Sequence, residues 1–216
     1  MTDTTLDRLN SFSCSDLSDA MDRLGIPCQA AGIMPLDRSF RIAGKAWTLR
    51  YGPVGQDPGS VGDYIDDLDE GTVIVLDNAG RVDVTVWGDL LTSTAHIRKI
   101  AGTVIDGVCR DVDRILELKY PIFSRGNWMR TGKDRVRVEA TQVPVSIGGI
   151  RVEPGDWIKG DGDGLVVIPA ARIEEVLAAA TQIHDAEDGI RAAIETGTSL
   201  RQARKDWGYH SLQTRR

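Results

Sequence analysis

Residues 87–113 decide the fold class, and they read WGDLLTSTAHIRKIAGTVIDGVCRDVD. The pattern predicts a helix from Asp89 to Ile100, followed by a strand at the β-branched run Thr103–Ile105. A second helix is predicted for Asp111–Lys119, and it ends before Pro121 because proline cannot continue a helix. Strand and helix therefore alternate, and this alternation favours an α/β core.

The residues before this stretch extend the pattern. The β-branched run Thr72–Leu76 is typical of a buried strand, and Thr85–Trp87 is a candidate for a further short strand. Near the start of the chain, Ser15–Gly25 has the apolar stripe of a helix, with Ser15 or Asp16 as the expected capping residue.

The second half of the chain has a different character. Residues 135–168 contain short strand-like runs separated by turns rich in glycine and proline, which predicts an antiparallel β layer. Within it, residues 160–164 resemble the start of a calcium loop, but the later ligand positions lack oxygen donors, so a tight turn is expected. Residues 170–196 have helical spacing with a break expected near Gly189, and a polar tail begins at Ser199.

Length and composition indicate an ordinary folded protein. The chain has 216 residues, of which 41% are hydrophobic and 27% are charged, and these values argue against wholesale disorder. We find neither an internal repeat nor a convincing linker. We therefore expect one domain over residues 1–216, with a core at about 15–200 and a polar C-terminal tail.

Charge and cysteine content exclude several classes of protein. The net charge of −6 argues against a general nucleic-acid binder, which would carry basic patches. There is no apolar run of about 18 residues, so we expect no membrane partner. The three cysteines include no Cys-x-x-Cys pair, which favours the reducing cytoplasm over a disulfide framework.

Three charged side chains are placed where ligands bind in open α/β sheets. Asp89 opens a helix after one predicted strand, and Arg110 with Asp111 opens the next helix after another. If the two strands are neighbours, these side chains meet at the carboxyl edge of the sheet. There the free N–H groups of the first helix bind a carboxylate, Arg110 clamps a carboxylate or keto oxygen, and Asp111 suits Mg²⁺ or Mn²⁺.

The same residues also allow simpler interpretations. Asp89 could be an ordinary N-cap, and Arg110 with Asp111 could be an exposed ion pair. Cys109 stands next to Arg110, which could lower the pKa of its thiol, although a small buried cysteine is the more common case. Spacing and composition leave these alternatives open.

A family resemblance favours the functional interpretation. The Gly-Asp-Leu-Leu sequence at Gly88–Leu91 and the Asp-Gly-x-x-Arg-Asp sequence at 106–111 resemble the family that joins 4-hydroxy-4-methyl-2-oxoglutarate aldolases with the regulator of RNase E activity A. The pattern of that family is an aspartate, twenty intervening residues and then Arg-Asp. Further similar segments lie at 18–25, 154–169 and 187–200, so the resemblance covers roughly residues 15–200.

The resemblance implies a fold, an assembly and a cofactor. The family has a compact α/β/β sandwich that resembles the phosphohistidine swivelling domain. It usually forms homotrimers or hexamers made of two trimers, with the active site at the subunit interface. It also implies a divalent metal, Mg²⁺ or Mn²⁺, held directly by Asp111 with water at most other positions.

The family resemblance likewise implies a role for each site residue. The backbone at Gly88–Leu91, including Asp89 and Leu90, would hold the pyruvate carboxylate, and Arg110 would steady the charge of the enolate. Asp89 would orient a water or act near the base. Glu187 is the counterpart of an acidic residue that reaches the metal through water from a neighbouring subunit.

The implied activity is that of a metal-dependent class II pyruvate aldolase. It would cleave a 4-hydroxy-2-oxo acid similar to 4-hydroxy-4-methyl-2-oxoglutarate into pyruvate and a carbonyl product, and decarboxylate oxaloacetate as a side reaction. Two alternatives remain: an RNase-binding regulatory protein, and a metal-dependent dehydratase or isomerase acting on a related 2-oxo acid.

Two segments depart from the common pattern of the family. Residues 63–65 read Asp-Tyr-Ile, where many relatives carry a His-x-Ala-like segment. Residues 127–130 read Asn-Trp-Met-Arg, where relatives often have smaller residues around a proline. We expect both segments to line the distal half of the substrate pocket, so the part of the substrate beyond pyruvate is the part that differs.

Overall fold

The structure, a computed structural model, describes residues 4–56 and 61–212. The chain divides into two units. One unit is formed by Gln29–Ala170, and the other by the two ends of the chain, Met1–Cys28 and Ala171–Arg216. The expectation of a single domain over residues 1–216 stays a prediction.

The described part of the Gln29–Ala170 unit contains ten strands. They are β1 (Met34–Pro35), β2 (Ile42–Pro53), β3 (Val73–Thr85), β4 (Gly102–Val108), β5 (Ile122–Ser124), β6 (Val136–Thr141), β7 (Val145–Ile147), β8 (Ile150–Val152), β9 (Trp157–Asp161) and β10 (Gly164–Ile168). Eight of them form one sheet in the order β1-β5-β4-β3-β2-β9-β10, with β6 paired to β2. The outer strands β1 and β10 also contact each other, so this sheet is nearly closed.

The centre of the sheet is parallel, as the alternation of strand and helix predicted. Strands β2, β3, β4 and β5 pair in parallel, and helices α3 (Asp89–Ile97) and α4 (Val112–Glu117) connect β3 to β4 and β4 to β5. Every residue of β4 is buried, as expected for a strand covered on both faces. Since β3 and β4 are neighbours, the segments that follow them begin at the same edge of the sheet.

The strands of residues 135–168 are antiparallel, as predicted, but most do not form a layer of their own. Strands β6 and β9 both pair with β2, and β9 forms a hairpin with β10 whose turn uses the Asp161 carboxylate to accept the Asp163 N–H. Residues 160–164 are thus a tight turn, as expected. Among the described residues, the β7–β8 hairpin is the two-stranded sheet that stands apart.

The predicted short strand at Thr85–Trp87 is wrong in its bounds. Strand β3 continues to Thr85 because a bulge at Ala79 and Gly80, both with positive φ, shifts its register without ending it. Trp87 lies beyond the strand and is buried, with its ring stacked on Tyr120. Its indole N–H donates to Thr92 Oγ1 at 2.8 Å, which anchors the first turn of α3.

A buried carboxylate fixes the end of β4. Asp106 Oδ1 pairs with Arg125 Nε at 2.5 Å, and Asp106 Oδ2 accepts the Gly148 N–H at 2.8 Å. Only 7% of the Asp106 side chain is exposed, and the hydrogen bond to Asp106 raises the pKa of Arg125. Because Asp106 connects the ends of β4 and β5 to the β7–β8 hairpin, it fixes the backbone four residues before Arg110.

The other unit is helical in its described residues. It consists of α1 (Thr5–Asn10), α2 (Cys14–Arg23), α5 (Ile173–Glu195), α6 (Leu200–Asp206) and α7 (Tyr209–Leu212), and 3₁₀ turns at Asp63–Asp67 and Ala170–Arg172 complete the described helical structure of the chain. None of the described helices is both long and apolar enough to cross a membrane.

Two expectations for these helices are corrected. Helix α2 is capped by Ser13 rather than Ser15 or Asp16, since the Ser13 hydroxyl and the Asp16 carboxylate form a reciprocal capping box. Helix α5 is not broken at Gly189. The glycine lies inside the helix, and the packing of the Trp207 ring explains why this residue is glycine. A Cβ at this position would lie 2.2 Å from the ring.

The Asp106–Arg125 pair gives the first testable prediction. Replacing Arg125 by Met leaves a buried carboxylate without its charged partner, which should lower the free energy of unfolding by about 1–3 kcal/mol. Arg151→Met is the matched control, because both partners of its pair with Glu153 are exposed; we expect it to cost less than about 0.5 kcal/mol. Urea unfolding measures both, and equal effects would refute the anchoring role of Asp106.

Candidate active site

The segments after β3 and β4 are bonded to each other. The Arg110 N–H donates to Trp87 O at 3.0 Å, and the Asp89 N–H donates to Asp111 Oδ2 at 2.9 Å. Arg110 Nε lies 3.3 Å from the same Asp111 oxygen. The structure therefore brings Asp89 next to Arg110 and Asp111, although twenty residues separate Asp89 from Arg110 in the sequence.

Asp111 owes its position to its backbone. It precedes α4 in the left-handed conformation, with φ 59° and ψ 45°, and makes no side-chain cap on that helix. Its carboxylate instead reaches the first N–H of α3, where the helix dipole and an unpaired donor favour a negative charge. The helix predicted to begin at Asp111 thus begins one residue later, and its N-cap carboxylate serves the neighbouring helix.

Gly88 allows this close approach. A Cβ on Gly88 would lie 2.7 Å from Asp111 Oδ2 and 3.1 Å from Arg110 Nε, so a larger residue would push both side chains away. The φ of Gly88 is −156°, an extended conformation open to any residue, and the requirement for glycine is therefore one of space. Gly88 also occupies the N-cap position, so the interpretation of Asp89 as an ordinary N-cap is wrong.

The first turn of α3 offers further donors. Thr92 is the first residue whose N–H bonds back to Gly88 O, at 3.0 Å, and the N–H of Asp89 is taken by Asp111. The N–H groups of Leu90 and Leu91 fall between these two and belong to the unpaired first turn of the helix. Leu90 and Leu91 line a cavity together with Gly88 and Arg110.

Two cavities meet at Asp89 and Arg110, which line both. The first has a volume of about 360 Å³ and extends from α3 over Asp63, Ile65 and Lys133. The second has about 730 Å³, and among its lining residues are Asp111, Asp113, Arg114, Asn127, Trp128 and Met129. Most residues of the two divergent segments, 63–65 and 127–130, thus line a cavity beside the predicted site. Arg130 and Tyr64 do not: Arg130 pairs with Asp83, and Tyr64 stacks on Trp47.

The backbone holds residues 126–128 beside Arg110. The Cys109 N–H donates to Gly126 O at 3.2 Å, and the Trp128 N–H donates to Cys109 O at 2.8 Å. Burial raises the pKa of the Cys109 thiol to about 11, so Arg110 does not activate it. Cys109 is the small buried cysteine of the simpler interpretation.

The sequence did not indicate Thr131 and Lys133 as cavity residues. They follow Arg130, whose carbonyl oxygen accepts both the Thr85 N–H at 3.1 Å and the Thr85 hydroxyl at 3.0 Å. This long-range contact brings the 131–133 segment to α3. No sequence motif marks the 131–133 segment, and only the tertiary contact with Thr85 reveals that it lines the cavity.

The donor chemistry fits a hard divalent cation. Asp89, Asp111 and Asp113 are among the residues that line the second cavity, and Asp111 Oδ1 receives no hydrogen bond from the described residues. Within residues 4–56 and 61–212 there is no group of three or more His, Cys, Asp or Glu side chains that could hold a metal ion together. Mg²⁺ fits such a site, since it commonly keeps several waters and takes one or two protein carboxylates.

Glu187, the expected second acidic residue, lies on α5 in the other unit. One of its carboxylate oxygens lies 3.5 Å from Arg191 Nη1, one turn along the helix. Its role toward the metal stays a prediction.

Comparisons with known proteins identify the family. The family model described as "RraA-like: Aldolase/RraA" matches residues 14–167. Protein DlpA of Legionella pneumophila is 41% identical over 94% of this chain, which spans 34% of the length of DlpA. A Halalkalibacterium halodurans protein named "Putative 4-hydroxy-4-methyl-2-oxoglutarate aldolase" is 35% identical, with 74% of each chain covered.

A solved structure agrees with the fold. Streptomyces coelicolor RraAS2, described as an unusual member of the RNase ES inhibitor RraA protein family, superimposes with a TM-score of 0.78. It is 28% identical, and the match covers 87% of this chain and 95% of RraAS2. The predicted α/β fold class is thereby confirmed, and the chain belongs to the RraA-like (Aldolase/RraA) family.

Proposed function

We propose that this protein is a divalent-metal-dependent class II pyruvate aldolase that cleaves a 4-hydroxy-2-oxo acid and also decarboxylates oxaloacetate. The observation that carries the proposal is the position of the Asp111 carboxylate, which lies between the first N–H of α3 and the guanidinium of Arg110, a residue that lines both cavities. The name of the Halalkalibacterium relative supports the same reaction class.

The first turn of α3 binds the carboxylate of the substrate. The N–H groups of Leu90 and Leu91 and the helix dipole provide an anion site that needs no charged side chain. Gly88 leaves the approach open, because no Cβ stands between the helix terminus and Arg110. Two fixed backbone donors also orient the acid, so its 2-oxo group points toward Arg110 and Asp111.

Arg110 stabilises the charge that develops in the reaction. Cleavage of the C3–C4 bond leaves the bonding electrons on C3 and the 2-oxo oxygen as a pyruvate enolate. Asp111 pairs with the Arg110 guanidinium, and the bond to Trp87 fixes the Arg110 backbone, so the side chain is oriented before the substrate arrives. Mg²⁺ or Mn²⁺, held by Asp111, would add Lewis-acid polarisation of the 2-oxo group.

Asp89 is the proposed base. Its side chain is exposed and lines both cavities, and its carboxylate accepts no hydrogen bond from the described residues. It accepts the proton of the C4 hydroxyl, directly or through one water, as C4 becomes a carbonyl, and a proton is then returned to C3 of the enolate to give pyruvate and restore the base. Oxaloacetate needs no such proton transfer, because loss of CO₂ gives the same enolate directly.

Glu187 completes the proposal through assembly. We place it at the active site of a neighbouring subunit in a homotrimer or hexamer, where it reaches the metal through water. Its side chain is a quarter exposed, and among the described residues its carboxylate pairs only with Arg191, at 3.5 Å, so it can serve a second positive charge.

One observation favours a second function. RraAS2, which shares the fold, is described within a family of RNase ES inhibitors. An RNase-binding regulator would bind its target without a divalent metal. A dehydratase or isomerase acting on a related 2-oxo acid is the third possibility, and it would yield no pyruvate.

Asp111→Asn tests the metal and its ligand. Asparagine keeps an oxygen to accept the Asp89 N–H but removes the negative charge, so the fold should persist while Mn²⁺ binding weakens. We expect metal-dependent pyruvate release from oxaloacetate and from 4-hydroxy-4-methyl-2-oxoglutarate to fall about a hundredfold or more, and EDTA to abolish release by the wild type.

The control for this experiment is Asp83→Asn, which removes an exposed aspartate outside both cavities and should leave the rate unchanged. Release of pyruvate that resists EDTA, or that survives in Asp111→Asn, would contradict the metal role. Absence of pyruvate from wild-type protein that binds the metal would refute the aldolase proposal itself.

Complementation between subunits tests Glu187 and Arg110 together. Arg110→Ala should lower pyruvate release about a hundredfold or more, and we expect Glu187→Gln to impair it as well. If Glu187 acts in a neighbouring subunit, co-refolded mixtures of the two variants contain some sites with both residues intact. Pyruvate assays on mixed oligomers, sized by light scattering, should therefore recover activity; a monomeric protein or no recovery would contradict the placement.

A further inference from the structure

The two cavities differ in what they can hold. We propose that the second cavity selects the distal half of the substrate, with Trp128 and Met129 as specificity-determining residues, and that this half is uncharged and apolar. The inference rests on the proposed function, since it names the substrate class of that same site. It favours 4-hydroxy-2-oxo acids with an alkyl group at C4 over those with a second carboxylate.

The direction of the substrate follows from which residues line which cavity. Leu90 and Leu91 line only the first cavity, whereas Asp111 lines only the second. A 2-oxo acid with its carboxylate on the first turn of α3 has its oxo group at Arg110, which lines both. The chain beyond C2 then continues past Asp111 into the second cavity.

The charges of the second cavity disfavour another carboxylate. Its acidic side chains are Asp89, Asp111 and Asp113, and both of its arginines are already engaged. Arg110 is bound to Asp111, and Arg114 bonds to Glu117 at 2.8 Å and to Ser93 at 3.3 Å. The metal proposed on Asp111 would serve the 2-oxo group, so a second carboxylate would lose its hydration there without gaining a free cationic side chain among the described residues.

The apolar side chains of the second cavity favour an alkyl group. Trp128 is 44% exposed and Met129 is 72% exposed, although both are large hydrophobic residues. The bonds of residues 126–128 to Cys109 hold their backbone next to Arg110, so the two side chains are carried on a fixed segment. An aromatic ring beside a flexible thioether gives an alkyl group a surface on which to bury itself.

The first cavity provides the contrasting case. Besides three aspartates, Asp63, Asp66 and Asp89, it contains Lys133, whose ammonium group forms no ion pair with the described residues. If the distal half entered this cavity instead, Lys133 would bind a second carboxylate and the protein would prefer dicarboxylic substrates. The two placements therefore predict opposite preferences.

Binding of unreactive analogues tests the inference without turnover. 2-Oxopentanoate and 2-oxoglutarate have the same chain length, lack the C4 hydroxyl and differ in their terminal methyl or carboxylate group. In calorimetric titrations with Mg²⁺ present, we expect 2-oxopentanoate to bind about tenfold or more tightly than 2-oxoglutarate. Met129→Arg should bring a cation into the cavity and reverse the preference.

Ile97→Arg is the matched control. It places the same charge on an exposed apolar position of α3 outside both cavities, so the ratio of the two affinities should not change. Tighter binding of 2-oxoglutarate by the wild type, lost in Lys133→Met, would overturn the inference and place the distal half in the first cavity. A change in the mass of the Met129→Arg oligomer would also overturn it, because Met129 would then belong to a subunit contact.

Pyruvate separates this inference from the proposed function. Pyruvate has no distal half, so its Mg²⁺-dependent binding reports on α3, Arg110 and Asp111 alone. If pyruvate fails to bind, the proposed function fails and the inference falls with it. If pyruvate binds but the preference between the two analogues is absent, only the inference fails.

Discussion

One hydrogen bond, from the Asp89 N–H to Asp111 Oδ2, organises the candidate active site. It joins the first turn of α3 to the residue that precedes α4, and the same carboxylate oxygen lies beside the Arg110 guanidinium. A carboxylate at a helix N-terminus is stabilised by the helix dipole and by donors that the helix leaves unpaired. Here that general effect brings a negative side chain, a cation and unpaired backbone donors to one place.

Other parts of the fold hold the two residues of this contact in place. Parallel pairing of β3 with β4 makes their following segments neighbours, and the bond from Arg110 N–H to Trp87 O aligns them. Buried Trp87 fixes the start of α3, and buried Asp106 fixes the end of β4. Gly88 then leaves space that any side chain would fill. Each of these residues limits movement between Asp89 and Asp111, so the site is organised before a ligand binds.

The sequence predicted those parts of the fold and of the candidate site that depend on the local pattern of residues. The alternation of strand and helix indicated the α/β class, and the position of Asp89, Arg110 and Asp111 after two strands predicted that they meet if those strands are neighbours. Predictions from the sequence failed where long-range contacts determine the structure. Gly189 lies within a helix because Trp207 packs on it, and Lys133 reaches the cavity because Thr85 holds the carbonyl of Arg130. The left-handed backbone of Asp111 was also beyond prediction, since non-glycine residues adopt it only when their surroundings require it.

A crystal structure with Mn²⁺ and pyruvate would test the central claim most directly. We predict an anomalous scattering peak bound directly by Asp111, with the pyruvate carboxylate on the N–H groups of Leu90 and Leu91 and its oxo group beside Arg110. Manganese at another site, or pyruvate away from α3, would contradict the claim that the Asp89–Asp111 contact organises the active site.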